Sequence, residues 1–145
     1  MSIEANKEIV RSFFSTLWNE KRLDRIHELA ARDYIDGNPV PGQGAGLEGA
    51  KQKWAMYFAG IPDLTARIED LVAEGDKVVV RFTADGTHEG TLLGVPPTGK
   101  RLLVSGISIY RLAEGNIVEH WEEGDRLGLL QQLGVIPTPG ATATA

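Results

Sequence analysis

The sequence predicts an α+β domain in which helices come first and a largely antiparallel sheet follows. Three observations carry this reading. Apolar residues recur at helical spacing through the first sixty positions, as in Ile9, Val10, Phe13, Phe14, Leu17 and Trp18. After residue 64 the chain turns to segments rich in Val, Ile, Thr and Leu. The stretches "EGD", "GVPPTG" and "AEGN" that separate those segments read as turns, the last short enough for a tight hairpin. Helices followed by a run of strands define the α+β class, and a sheet curling around helices leaves a cavity at its open end.

Each element follows from local chemistry. Residues 3–18 form one broad apolar helical face, with Ser2 as N-cap. A second short helix is expected near 22–31, where Leu23, Ile26 and Leu29 share a side. The Gly- and Pro-rich "DYIDGNPVPGQGAGLEG" reads as a loop. A third helix, about 47–59, carries Ala50, Trp54, Tyr57 and Phe58 and ends at Gly60–Pro62. Strands are expected at 64–73, 77–88, 100–112 and 116–123, and a short helix closes the pattern in "RLGLLQQLG".

Composition bounds the function. The 145 residues suit one domain, assigned to 1–137, with a polar tail at 138–145 expected to be flexible. A net charge of −5 argues against nucleic acid or an anionic membrane as partner. The lack of cysteine excludes disulfides and thiolate chemistry. No apolar stretch approaches the ~18 residues of a membrane span, and the acid-bearing N-terminus is unlike a signal peptide, so a cytoplasmic protein is expected.

Among the motifs, "GAGLEG" (Gly44, Gly46, Gly49) fits the dinucleotide fingerprint G-x-G-x-x-G but follows "DGNPVPGQ" instead of a buried strand, so it reads as a loop, and no cofactor is expected. His27, His88 and His120 are scattered without metal-binding spacing, and no metal is expected. His88, in the glycine-flanked "DGTHEG", is either a turn residue bonding its own loop or a pocket residue. Regular alternation along the last strand puts Ile117, Glu119, Trp121, Glu123 and Asp125 on one face, taken as buried because of Ile117 and Trp121. Burial beside like charge would raise the proton affinity of such carboxyls. Asp125 has two readings: the N-cap of the last helix, or an acid/base at the mouth of the cavity.

The blocks "GDKV…GTHEG", "GVPPTGK" and "GNIVEHWEEGDRLGLLQQLG", with the helical "FFSTLWNEKRLDRIHELAARDYIDGNP", resemble the SnoaL-like polyketide cyclases of the nuclear-transport-factor-two-like superfamily, over residues 6–134. The resemblance implies a cone of three N-terminal helices on a strongly curved sheet, dimerising through the sheet's outer face. It further implies a cofactor-independent cyclase or isomerase. An aspartate in the W-x-x-x-D segment, here Asp125, would be the acid/base of an aldol ring closure on an apolar, carbonyl-containing substrate, with His88 assisting. Substrate contacts are assigned to Trp121, Glu119 and Asn38, and to Tyr34, Trp54, Tyr57 and Phe58; Trp18 is assigned to the core. Where relatives often carry a histidine before Asn-Pro, this chain reads "DGNP". Glu119 would tune Asp125 or pair with Arg111 or Arg81. The alternatives are an epoxide hydrolase built on an arginine-bridged carboxylate pair, a dehydratase, or a non-catalytic small-molecule binding module.

Overall fold

The computed structural model describes residues 2–140, so the expectation for the 138–145 tail falls mostly outside it. Helix α1 (Ile3–Phe14) buries Val10, Phe13 and Phe14 and is capped by Ser2, whose hydroxyl accepts the Ala5 N–H at 3.0 Å. The helical path continues as a wider π turn over Ser15–Asn19, which buries Leu17. The second predicted helix is only a 3-10 turn, Leu23–Glu28, with Ile26 inward.

Residues Ala30–Asp36 correct the sequence reading, which assigns them to a helix end and a loop: they form strand β1. Ala30 and Tyr34 point inward and the register shifts between Ala30 and Ile35, so "AARDYID" shows neither clean alternation nor an apolar run. Helix α2 (Gly46–Gly60) buries Leu47, Ala50 and Trp54, and also Lys53. Gly49 lies against the Gly44 carbonyl, where a Cβ would come within 1.7 Å. The glycines of "GAGLEG" therefore serve close packing of the loop on its own helix.

Strands β2 (Thr65–Glu74), β3 (Lys77–Thr87), β4 (Arg101–Ala113) and β5 (Asn116–Gly124) form an antiparallel meander, close to the predicted limits. Strand β1 joins the far edge parallel to β5, giving the order β1-β5-β4-β3-β2 in a mixed sheet that wraps α1 and α2. Helix α3 (Arg126–Gln132) follows β5 and is tied to β4 by the Gln132 amide, which bonds both the Leu103 N–H and carbonyl at 2.8 Å. Among the described residues, no helix is long and apolar enough to cross a membrane.

Inward residues change size along the sheet. Strand β3 presents Val78, Val80, Phe82, Ala84 and Gly86 in turn. Strand β4 runs opposite, with Leu112, Tyr110, Ser108, Gly106, Val104 and Leu102. Phe82 fills the space over its cross-strand partner Gly106, where a Cβ would meet the ring at 2.6 Å. One end of the interior is closed by aromatic packing; at the other, small residues leave room.

Candidate active site

That room is a cavity of about 250 Å³. Phe14 and Trp18 from the first helical segment, Phe82 and Ala84 from β3, and Leu102 and Val104 from β4 make its apolar walls. Leu92, fully buried in the 89–99 loop, and Leu129 of α3 complete them. Polar groups gather at one side: Asn38, Tyr57, Asp85, Glu122, Glu123, Asp125 and Arg126.

Glu122 reaches the cavity because β5 is not regular. Its pairing with β4 runs Leu112 to Ile117 and then Arg111 to Glu119, so Val118 is an extra residue in a bulge. The bulge reverses the face of everything after it. Ile117, His120 and Glu122 face inward, while Glu119, Trp121 and Glu123 face out, contrary to the alternation expected from sequence.

Behind Glu122 lies a short polar chain. The Ser108 hydroxyl donates to Glu122 Oε1 at 3.2 Å, and His120 Nε2 stands 3.2 Å from the same hydroxyl. His120 is stacked on Tyr110, with ring centroids 4.8 Å apart. Burial, with the nearby Lys53 charge, depresses its pKa to about 4, so the imidazole is neutral near pH 7 and donates from Nε2 to Ser108. Burial pushes the Glu122 carboxyl above the ordinary range, partly offset by Lys53 and by the Ser108 hydrogen bond. The 36% of its side chain left uncovered is consistent with this, because the carboxylate opens onto the cavity it lines. Burial likewise raises the Tyr57 hydroxyl.

A second set of contacts grips β5 from the turn that follows β1. Asn38 Oδ1 accepts the Glu122 N–H at 2.7 Å, and the Gly37 N–H donates to the His120 carbonyl at 2.7 Å. Lys53 and Asp36 form an ion pair at 2.5 Å beneath this turn. Burial pulls the Asp36 carboxyl up, but hydrogen bonds from Lys53, Gln43 and the Asn38 N–H together leave it below its ordinary value.

The predicted site residues divide accordingly. Asp125, Asn38 and Tyr57 line the cavity. Asp125 is also the cap of α3: its Oδ1 accepts the Gly128 N–H at 2.9 Å. His88 is fully buried outside the lining, with Nδ1 2.9 Å from the Thr98 hydroxyl and accepting the Thr98 N–H, so it pins the 89–99 loop. Trp54 and Tyr34 pack against each other in the filled core, and Phe58 packs on Trp18. Trp121 and Glu119 lie on the outer face, Glu119 paired with Arg111 at 2.9 Å. Arg81 pairs with Asp70, so of the two arginines only Arg111 meets Glu119 among the described residues. Trp18, read as core, is part of the cavity wall. Sequence reasoning missed Glu122, Ser108, His120, Asp36 and Lys53; the bulge hides the first and third, and nothing local marks the others.

Comparison with known proteins agrees with this architecture. The family model described as SnoaL-like polyketide cyclase matches residues 8–133. The aklanonic acid methyl ester cyclase DauD of Streptomyces sp. (strain C5) is 36% identical over 84% of this chain and 78% of its own length. The nogalonic acid methyl ester cyclase of Streptomyces nogalater is 35% identical over 81% of this chain and 89% of its own. The structure of TsrD from Streptomyces laurentii superposes with a TM-score of 0.85 at 31% identity, covering 94% of this chain and 99% of that one. The chain belongs to the SnoaL-like polyketide cyclase family.

Proposed function

We propose that this protein closes a ring by intramolecular aldol addition on an apolar, polyketide-derived carbonyl compound, with Glu122 as the acid/base. The observation that supports this reading above all is Glu122 itself, a carboxyl at the polar side of a cavity with apolar walls, its proton affinity raised by burial. The relatives are aklanonic and nogalonic acid methyl ester cyclases. Ionised Glu122 takes a proton alpha to one carbonyl, the resulting carbon attacks a second carbonyl, and the new alkoxide takes the proton back. Tyr57 and Arg126 line the same cavity and are the donors nearest in kind to a developing enolate oxygen. The reaction rearranges a proton and a carbon–carbon bond without moving electrons to another molecule, so its chemistry calls for no redox cofactor.

Asp125 is the second reading, since it also lines the cavity. Its engagement by the Gly128 N–H and its exposure argue for Glu122. The hydrolase alternative finds its arginine-bridged carboxylates in Asp63, Arg101 and Asp85 at the rim. There Asp63 is held below its ordinary pKa by the Thr87 N–H and hydroxyl, which makes it a weak base for activating water. A passive binding module would need only the apolar walls. Turnover of aklanonic and nogalonic acid methyl esters separates these readings. Glu122→Gln is expected to lose about 10²–10⁴-fold in kcat. Asp125→Asn, which keeps a capping oxygen, is expected to stay within a few-fold, whereas Asp125→Ala lowers stability by about 1 kcal/mol. The reverse pattern of activities would move the acid/base to Asp125, and no turnover by the native chain would favour binding alone.

A homodimer through the outer sheet face forms part of this proposal, since Ile35, Leu103, Ile107 and Trp121 expose apolar surface there. Sedimentation of the native protein as a dimer and of Ile107→Glu as a monomer is the expected result.

A further inference from the structure

We propose that the buried Lys53–Asp36 pair is a positioning device for the cavity acid, holding Glu122 in both its place and its charge state. The inference rests on the reading of Glu122 given above.

Lys53 stands on the inward face of α2 beside Ala50 and Trp54, where an apolar residue would pack. It is 8% exposed, and its partner's side chain 5%. A buried ion pair of this kind is seldom a net source of stability, because desolvation of the two charges consumes the attraction between them. This pair has a structural output instead. Lys53 Nζ donates to the Asn38 carbonyl at 3.1 Å, and Asp36 accepts the Asn38 N–H at 2.9 Å and the Gln43 amide at 3.0 Å. The two charges thus fix residue 38 from both of its backbone ends. Asn38 then holds the Glu122 N–H through its side chain, while the adjacent Gly37 N–H holds the His120 carbonyl. The turn grips β5 on either side of Trp121, immediately after the bulge that sends Glu122 inward.

The pair also acts through charge. The charges that act on Glu122 are Lys53 from α2, Asp36 from β1 and Arg126 from α3; Asp85 from β3, Glu123 from β5 and Asp125 line the same cavity. Tyr34 from β1, Tyr57 from α2, Tyr110 from β4 and His120 on the same strand are the other titratable groups, and all four are neutral near pH 7. Ser108 of β4 supplies the hydrogen bond. Lys53 favours the ionised carboxyl and Asp36 opposes it, with Lys53 the stronger of the two. A merely structural pair would not move Glu122 in opposite directions when its members are neutralised one at a time.

Carboxyl NMR of protein carrying ¹³Cδ-labelled glutamate reads this without turnover, the Glu122 resonance being the one lost in Glu122→Gln. Lys53→Met is expected to raise the titration midpoint, Asp36→Asn to lower it, and Lys53→Arg to leave it near the native value. The double variant Lys53→Met/Asp36→Asn, which buries no lone charge, is expected to sit above the native protein but below Lys53→Met. If Lys53→Met does not fold, the Asp36→Asn and double-variant midpoints decide the matter. Midpoints that move the same way in both single variants, or stay unmoved in them, overturn the proposal. Shifts of opposite sign in a protein whose Glu122→Gln form keeps full turnover uphold the device and discard the catalytic assignment.

Discussion

The two halves of the interior are built on one curved sheet but filled differently. In the closed half, Phe13 meets Trp54 and Tyr110 edge-on at 5.9 and 5.6 Å, and Trp54 meets Tyr34. In the open half the same strands carry Ala84, Gly86 and Val104 at the inward positions, and a cavity remains beside the smaller cluster of Ile61, Leu64, Leu92, Leu102, Leu129 and Leu133. A few reductions in side-chain volume along β3 and β4 thus leave a cavity at the end of a core. The polar network sits at the seam. Tyr110 and His120 stack there, with Ser108 and Glu122 one step toward the cavity.

The sharpest way to break this contrast is to cut equal kinds of residue from each half. Leu17→Ala removes a leucine packed on all sides in the closed half, and a loss of about 4 kcal/mol, in the upper part of the range for Leu→Ala, is expected. Leu64→Ala removes a side chain that already faces the cavity on one side. Its lining lacks partner atoms there, so the loss should fall near 2 kcal/mol, the lower end for Leu→Ala. Urea denaturation of both variants at one pH measures the difference. Equal losses would mean that the cavity is closed by neighbouring side chains in solution.

A second comparison uses pH at the seam. His120 in the folded chain titrates at about 4, against 6.5 for the free side chain. Its folded pKa is depressed, so the neutral imidazole contributes stability that is fully present above 6.5. That contribution is lost progressively as pH falls toward 4. The span amounts to about 3 kcal/mol by linkage. His120→Phe keeps a ring to stack on Tyr110 and has nothing to titrate. Between pH 7 and pH 4.5 the native protein should therefore lose more stability than this variant. Parallel losses in the two would place His120 in contact with solvent.

The same seam marks how far the sequence can be read. The four antiparallel strands were legible because segments rich in Val, Ile, Thr and Leu are separated by the turns "EGD", "GVPPTG" and "AEGN". Strand β1 was not, since an edge strand of seven residues with an irregular register needs only Ala30 and Tyr34 inside. Asn38, Tyr57 and Asp125 were found at the cavity, yet Glu122 was assigned to the wrong face. Counting back from the Ala113–Asn116 hairpin in strict register pairs Tyr110 with Glu119; the Val118 bulge pairs it with His120. The one local sign is that Ile117 and Val118 are both apolar, as two residues sharing one partner position would be. Lys53 and Asp36 give no sign at all, because their pairing joins α2 to β1 across a loop whose path the sequence leaves open.

The smallest expected effect comes from filling the open half until it resembles the closed one. Ala84 faces the cavity from β3, next to Phe82 along the same inward row. Ala84→Leu adds three carbons into existing space, so the overpacking that penalises such changes in a full core does not arise. Burying the added carbons should stabilise the fold by about 1 kcal/mol or a little more, given ~0.8 kcal/mol per methylene and the rotamer entropy lost. The same change takes volume from the cavity, so binding of the aklanonic acid methyl ester should weaken. Stability and binding moving in opposite directions is the mark of a void maintained for a ligand. Stability falling along with binding would instead mean that the space is needed for the side chains already there.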